Sequence, residues 1–290
     1  MAERRQPLDW RFLLDDGLLF CWNLWNRLKE TRLPAGHRRL LAANARLRGA
    51  HQGKRCWIIG NGPSLRDHDL KQLHGEYVFA VNRFIHHPDA EIVNPSFYVI
   101  VDPKFGAGKW GQDFIEQVEQ RLPGVKMFVS AEGLRFLRER QLMANHECFV
   151  VYPNQYFHFG YPFDINLTRG IPGADNVTKS ALSIAVWMGF TEINLLGIDG
   201  NGLLLTDNSH FYGHVPGPTD QVELERSLAS SILSMRSWRA LPEWLAKRGV
   251  RLWSRNPKSV LTALPYRPWV NKAAPAQVEE AAPVRSAIVG

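Results

Sequence analysis

From residue 55 onward, short apolar runs alternate with segments whose apolar residues recur at helical spacing. The apolar runs predict seven strands, at residues 56–59, 77–81, 97–101, 126–129, 148–151, 192–196 and 250–253. The segments between several of them predict helices, at residues 65–73, 111–121, 133–140, 178–188 and 222–247. This alternation predicts an α/β fold, a Rossmann-like, doubly wound and mostly parallel sheet with helices on both faces.

Residues 8–31 carry a different pattern. Their apolar side chains follow one helical stripe through Trp10, Leu14, Gly17, Cys21, Trp25 and Leu28. A second helical piece near residues 37–48 carries leucines among arginines. We therefore expect an N-terminal helical extension over residues 1–54, followed by the α/β domain over residues 55–270. Residues 271–290 are rich in Ala, Pro, Val and Glu, which predicts a disordered tail.

The net charge of the chain is +7, and its location matters more than its size. Residues 1–55 hold twelve Lys and Arg against five Asp and Glu, and 12 − 5 = 7 is the whole excess. The basic character therefore belongs to the extension. Two kinds of contact fit this basic extension. It can pack on the α/β domain or on a second copy of the chain in a homo-oligomer, or it can bind an anionic membrane surface. We expect no nucleic acid partner, because no recognition-helix pattern is visible.

The three cysteines, Cys21, Cys56 and Cys148, lie far apart in the chain. They form neither a disulfide framework nor a metal-binding pair, which favours a reducing, cytoplasmic location. No secretory leader pattern is visible, and no apolar run reaches the roughly 20 residues that span a bilayer. We expect a cytoplasmic protein, peripheral at the inner face of the cytoplasmic membrane if the extension contacts lipid.

Polar and glycine residues collect where four of the predicted strands end. They are Gly60, Asn61, Gly62 and Ser64 after the first strand, Asn82 after the second, Asp102 after the third, and Asp199, Gly200 and Asn201 after the strand at 192–196. Ligands of such sheets bind beyond the carboxyl ends of the strands. The two glycines allow close backbone approach, and Ser64 suits the cap of a helix whose N-terminus favours an anion. The pattern predicts a nucleotide-binding crevice, with Asn82 and Asp102 facing a base or ribose.

Residues 206–214 contain two histidines, His210 and His214. Histidines four residues apart can bind a metal on a helix, but Gly213 and Pro216 indicate a loop, and no third ligand is evident. We expect no metal. The loop begins soon after the fourth strand end and can fold back over the crevice, where a histidine can act as a general base.

In this order, these pieces resemble the bacterial sialyltransferases that build lipooligosaccharide from CMP-sialic acid. They also resemble the related motility-accessory glycosyltransferases with the MptE-like domain. The likeness spans roughly residues 55–265 and is carried by residues 60–65, 79–84, 177–189, 192–199, 207–214 and 256–259. Its most specific piece is Asp-Asn-Ser-His-x-x-Gly-His at 207–214. Asp102 departs from the sialyltransferases, which have Asn there, and is more similar to the motility-accessory relatives.

The resemblance implies an inverting, metal-independent glycosyltransferase that moves a sialic-acid-like or Kdo-like sugar from a CMP donor. The implied acceptor is a bacterial surface glycan or glycolipid of lipopolysaccharide or capsule, and no cofactor is needed beyond the donor. By the same resemblance His214 is the catalytic base. The nucleobase would lie against the start of a helix, at Asn176, Val177 and Thr178, and could bind to free backbone amides there.

Two other functions fit the same residues. One is an MptE-like pyrophosphokinase that uses Mg-ATP, in which Asp102 and Asp199 would bind the metal. The other is a non-catalytic nucleotide-binding module that tethers a polysaccharide-assembly complex through the basic extension.

Overall fold

The structure is a computed structural model and describes residues 10–201, 210–213 and 220–269. Its strands are β1 Arg55–Ile59, β2 Val78–Val81, β3 Phe97–Ile100, β4 Lys126–Val129, β5 Cys148–Val150, β6 Tyr152–Gln155, β7 Gly170–Pro172, β8 Glu192–Leu196 and β9 Arg251–Ser254. Seven of them form one sheet in the order β5-β4-β3-β2-β1-β8-β9, and β6 pairs with β7 in a second, two-stranded sheet. All paired neighbours are parallel, which confirms the predicted fold class.

The described chain contains eight α-helices, and one helix predicted from the sequence is not among them. The eight are α1 Trp10–Glu30, α2 Ala35–Ala42, α3 Ala90–Val93, α4 Pro103–Gly106, α5 Asp113–Arg121, α6 Ala131–Glu139, α7 Val177–Trp187 and α8 Gln221–Ala246. The helix expected over residues 65–73 is instead two 3₁₀ turns, Pro63–Asp67 and Leu70–Leu73. Between them the Asp69 side chain accepts the amide of Lys71, a local hydrogen bond that competes with helix continuation.

Alternate residues of each central strand enter two separate cores, one on each face of the sheet. Ile58 of β1 belongs to a core with Leu182 of α7 and Leu241 of α8. Its neighbour Ile59 belongs to the opposite core with Ile115 of α5. Complete burial of such a side chain stabilises the fold by about 1.5–3 kcal/mol. Helices therefore cover both faces, as the doubly wound class requires.

The strand order places a crevice beside β1. The chain leaves β1 towards β2 and continues to the edge strand β5, and it then returns to β8 on the other side of β1. Connections that depart in opposite directions leave a gap beyond the carboxyl ends of the two central strands. The residues that follow β1, β2 and β8 therefore share one end of the sheet.

Helix α1 is hydrogen-bonded to the rest of the protein through its polar side. Asn23 donates its Nδ2 to the carbonyl oxygen of Tyr156 and accepts the amide of Tyr156, both at 2.9 Å. Asn26 donates its Nδ2 to the carbonyl oxygen of Asn154 at 2.7 Å. The apolar stripe seen in the sequence points away from both cores. Within the described residues, no helix combines the length and apolar character needed to cross a bilayer.

The expected N-terminal helical extension is thus confirmed as structure. Its border at residue 54 and the end of the α/β domain at residue 270 stay predictions. Residues 35–54 contribute Leu41 and Leu47 to the two cores, so this part of the chain packs closely on the sheet. The tail at 271–290 lies outside the described residues.

Lys179 of α7 forms a buried ion pair with Asp175 and also joins α7 to α8 by hydrogen bonds. The fully buried ammonium of Lys179 contacts the carboxylate of Asp175 and the hydroxyl of Ser237, and it donates to the carbonyl oxygen and hydroxyl of Ser234, each at 3.0 Å. Burial lowers the pKa of Lys179, and the charge of Asp175 opposes that shift. Both charges therefore depend on each other to remain in the protein interior.

Lys179→Met tests this dependence. Removing one partner leaves the Asp175 carboxylate buried without its cation, and we expect a loss of about 3–5 kcal/mol in the free energy of unfolding. The matched control is Lys247→Met, which removes an exposed pair with Glu243 and should cost about 0.5 kcal/mol or less. Urea unfolding measures both. Equal losses in the two variants would contradict the assigned role of the pair.

Candidate functional site

A cavity of about 460 Å³ opens at the carboxyl ends of β1, β2 and β8. Most of the predicted site residues line it together: Gly60, Asn61, Gly62, Asn82, Asn176, Val177, Thr178, Asp199, Gly200, Asn201 and His210. The opposite wall comes from α8, through side chains such as Leu228, Ile232 and Trp238. The volume lies within the range of small-ligand sites. No signal at a strand end pointed to α8, because its contribution depends on how the helix packs over the crevice.

Two predicted site residues of the described chain, Ser64 and Asp102, are not on this lining. Ser64 lies behind it and does not cap a helix as expected, because its hydroxyl donates to Asp199 Oδ1 at 2.5 Å. The Asp102 carboxylate accepts the amide of Lys104 at 2.7 Å and caps α4. His214 lies outside the described residues, so its position stays a prediction.

The two glycines after β1 make room for the protein itself. The amide of Gly60 donates to the carbonyl oxygen of Leu196, and that of Gly62 to the carbonyl oxygen of Gly197, both at 2.8 Å. A Cβ atom on Gly62 would lie 2.5 Å from Oδ2 of Asp199, and one on Gly60 would collide with the Gly197 carbonyl oxygen. The close neighbour that the sequence attributed to a ligand is therefore the loop after β8.

Asp199 links the segments that follow β1 and β9 at this end of the sheet by hydrogen bonds. Its Oδ2 accepts the amide of Ser64 at 2.9 Å, and its Oδ1 accepts the Ser64 hydroxyl and also Nδ2 of Asn256 at 2.6 Å. Its backbone carbonyl accepts the amide of Val260 at 3.0 Å. Asn256 is a site residue that the sequence reasoning did not single out, although it lies in one of the pieces that carry the resemblance. Both carboxylate oxygens are engaged within the protein.

Two carboxamide oxygens on cavity-lining residues have no hydrogen-bond partner among the described residues. Oδ1 of Asn61 and Oδ1 of Asn82 are buried, and neither accepts a hydrogen bond from any described residue. An unpaired buried acceptor costs about 1–3 kcal/mol, which a ligand with hydroxyl or amino donors would offset. Asn61 is held by its Nδ2, which donates to the carbonyl oxygen of Val81 at 3.2 Å.

Asn82 is held in place by its backbone. It adopts a left-handed conformation with φ of 50°, which asparagine tolerates better than most residues. The Tyr98 hydroxyl donates to the carbonyl oxygen of Asn82 at 2.7 Å and accepts the amide of Ile85 at 2.9 Å. This buried tyrosine fixes the turn, so the Asn82 side chain projects from a rigid base.

The start of α7 offers fewer free amides than the sequence suggested. Asn176 caps the helix, and its Oδ1 accepts the amide of Thr178 at 2.8 Å. Its backbone carbonyl accepts the amides of Lys179 and Ser180 at 3.0 and 3.2 Å. Of the amides expected to face a ligand, that of Thr178 is therefore already paired.

Residues 210–213 lie over the crevice. The amide of Phe211 donates to the carbonyl oxygen of Asn61 at 2.9 Å, and Arg66 donates to the Phe211 carbonyl oxygen through Nε and Nη2 at 3.0 and 2.8 Å. Sequence reasoning missed Arg66, because an arginine in a short turn looks like a surface residue. These bonds hold the backbone that brings His210 to the cavity.

The environment of His210 suits proton transfer. Burial lowers the pKa of its imidazole below the ordinary value of 6.5. Its ring stacks on that of Tyr212 with a centroid distance of 5.0 Å. At neutral pH the imidazole is therefore uncharged, the form that accepts a proton.

Comparison with known proteins identifies the family. The family model described as 6-hydroxymethylpterin diphosphokinase MptE-like matches residues 37–201, which is more than half of the chain. The chain belongs to the MptE-like family. The match runs from α2 through β8 and contains all the predicted strand-end residues. The segment at 206–214 that carries both histidines (the histidine loop) and α8 lie beyond it. No curated protein matches the chain significantly.

Two solved structures are similar to this MptE-like protein. One is the sialyltransferase CST-II in complex with a trisaccharide acceptor and CMP, at 18% identity and a TM-score of 0.42, covering 74% of this chain and 86% of that one. The other is CstII from Campylobacter jejuni with the substrate analogue CMP-3FNeuAc, at 19% identity and a TM-score of 0.40, covering 73% and 84%. Likenesses of this size do not assign an activity.

Gly62→Ala tests the packing of the glycine corner. The added methyl group would press on the Asp199 carboxylate and should lower the free energy of unfolding by about 1–3 kcal/mol, as overpacking does elsewhere. Gly124→Ala is the matched control, since a methyl group at residue 124 would meet no other atom within 4 Å and the φ there is not positive. Thermal unfolding compares the two. Equal stability of both variants would show that the β8 loop does not need Gly62.

Proposed function

We propose that this protein is a glycosyltransferase that moves a sialic-acid-like or Kdo-like sugar from a CMP donor to a bacterial surface glycan. The observation that carries the proposal is the pair of buried oxygens on Asn61 and Asn82, which accept no hydrogen bond from the described residues and belong to a cavity that His210 also lines. Hydrogen-bond acceptors suit the hydroxyl and amino groups of a nucleoside. An uncharged imidazole suits the hydroxyl group of the glycan that receives the sugar. The choice of CMP and of the sugar class rests on the sequence motif at 207–214.

In the proposed reaction the nucleoside lies against Asn61 and Asn82, and the sugar lies towards the histidine loop. The base, His214, removes the proton from the acceptor hydroxyl. The oxygen so freed bonds to the anomeric carbon, and the bond to the CMP phosphate breaks with its electron pair remaining on the phosphate. Attack opposite the leaving group inverts the anomeric centre. A positioned base of this kind contributes about 10²–10⁴-fold to the rate.

The alternative is a pyrophosphokinase that uses Mg-ATP, and the family match favours it. Magnesium binds oxygen ligands, above all carboxylates. Asp199 already uses both of its oxygens, and Asp102 is not on the cavity lining. Within the described residues, no group of three or more His, Cys, Asp or Glu side chains comes together as a metal site. The arrangement around Asp199 therefore supports the transferase better, and a direct test separates the two.

The first test is nucleotide binding by thermal shift, with CMP, CDP, UDP, GDP and ATP, each with Mg²⁺ and with EDTA. A ligand that binds only the folded protein stabilises it by about 2.7 kcal/mol at one hundred times its Kd. We expect CMP to stabilise the protein most and EDTA to make no difference. Asn82→Gly keeps the left-handed backbone, removes the carboxamide, and should weaken CMP binding about tenfold. Stabilisation by ATP only with Mg²⁺ would support the pyrophosphokinase.

The second test concerns the two histidines. His214→Ala should lower the rate of sugar transfer by about 10²–10⁴-fold and leave CMP affinity nearly unchanged. Transfer and slow donor hydrolysis are measured with CMP-sialic acid and CMP-Kdo at pH 5 to 9, in the wild type, His214→Ala and His210→Ala. Because burial disfavours protonation of His210, its contribution should fall only below its ordinary pKa of 6.5. Full activity of His214→Ala would remove the proposed base, and nucleotide binding without any turnover would favour a non-catalytic module.

A further inference from the structure

The most unusual surface of the protein is the outward face of α1. Trp10, Leu14, Leu18, Trp25 and Leu28 are all exposed, and they follow the helical stripe seen in the sequence. A helix that packs on a soluble domain normally buries this stripe and exposes its polar side. In α1 the apolar stripe is exposed instead, because the asparagines Asn23 and Asn26 face the domain.

Other polar side chains of α1 also contact the domain. Besides the two asparagines, Glu30 accepts hydrogen bonds from Asn154 and Gln155. Asp15 and Asp16 pair with Arg236 of α8 at 2.5 and 3.2 Å. These contacts fix the orientation of the helix, so the apolar stripe is a constant feature of the surface.

The apolar surface continues along α8 to the candidate site. A groove of about 520 Å³ lies between the two helices, with Leu18 and Trp22 on one side and Ile232 and Leu233 on the other. Ile232 also lines the cavity at the strand ends. The groove and the cavity therefore share a wall.

The charge around this surface indicates what covers it. The acidic residues of α1 are paired with α8 or β6, whereas Lys29, Arg32, Arg38 and Arg39 are exposed at the end of α1 and in α2. The Lys29 ammonium lies 5.1 Å from the centre of the Trp25 ring, beside the apolar stripe. An exposed apolar and aromatic stripe, with one cation beside it and further exposed cations following it in the chain, matches the interface of a membrane with anionic headgroups.

We infer that α1 and the exposed edge of α8 form a docking surface for an anionic membrane. Trp and Leu side chains of α1 enter the headgroup region, and the basic residues that follow contact lipid phosphates. The cavity then opens beside the lipid surface. Resting on the proposed function, this placement makes the second substrate a lipid-anchored glycan, whose hydrocarbon part lies in the groove at Ile232.

The test is co-sedimentation with vesicles of phosphatidylcholine alone and of phosphatidylcholine with phosphatidylglycerol. The variants are Leu14→Glu and Leu28→Glu, whose side chains are 59% and 57% exposed, so that the fold should tolerate the change. Ile92→Glu is the control, an exposed apolar residue on α3. We expect the wild type and Ile92→Glu to bind anionic vesicles, less at high salt, and the two α1 variants to bind about tenfold or more weakly.

The outcomes separate the possible occupants. A wild type that does not bind vesicles, or equal binding by all variants, would overturn the inference. So would a lipid-free dimer that Leu14→Glu dissociates in sedimentation velocity, because the surface would then hold a second copy of the chain. Far-UV circular dichroism checks the fold, and Leu14→Gln and Leu28→Gln replace any glutamate variant that fails to fold.

Nucleotide binding by the lipid-free protein distinguishes this inference from the proposed function. Vesicle binding without CMP binding would keep the membrane surface and reject the transferase. CMP binding without vesicle binding would keep the transferase and reject the membrane surface.

Discussion

The Asp199 carboxylate holds the two sides of the crevice together, because it accepts hydrogen bonds from the turn after β1 and from the segment after β9. Gly62 must lack a side chain for this carboxylate to come so close. The turn that carries Asn61 is thereby set at a fixed distance from the β8 loop, and Asn61 in turn accepts the amide of Phe211. A single buried carboxylate with three neutral donors thus determines where the cavity lies and where residues 210–213 cross it.

The central sheet could be predicted because each of its strands is a short apolar run whose side chains enter the cores on the two faces of the sheet. The β6–β7 pair could not, since Pro153, Asn154 and Gln155 lack the apolar alternation of a strand and depend on contacts with α1. The positions of most site residues followed from the rule that ligands bind at strand ends. Their roles did not all follow, because Ser64 and Asp199 bond to each other across 135 positions of the chain, a pairing that no local pattern encodes.

Helix α8 connects the parts of the molecule that the sequence kept separate. Its inner face packs on the sheet through Trp238 and Leu241, its middle holds Lys179 through Ser234 and Ser237, and its exposed edge lines both the cavity and the apolar groove. The periodicity of residues 222–247 indicated a helix but not these several contacts. They arise from its length of 26 residues, which lets one helix span the site and reach α1.

The inverted packing of α1 also decides what its removal would do. A chain shortened to begin at α2 would keep Leu41 and Leu47, so both hydrophobic cores would stay covered. It would leave the peptide groups of Asn154 and Tyr156 without the side chains that now complete their hydrogen bonding. Gln155 lies between them, and its carbonyl oxygen receives the amides of Gly173 and Ala174, just before the Asn176 cap of α7. Loss of α1 would therefore destabilise the cavity wall and would leave the hydrophobic cores filled.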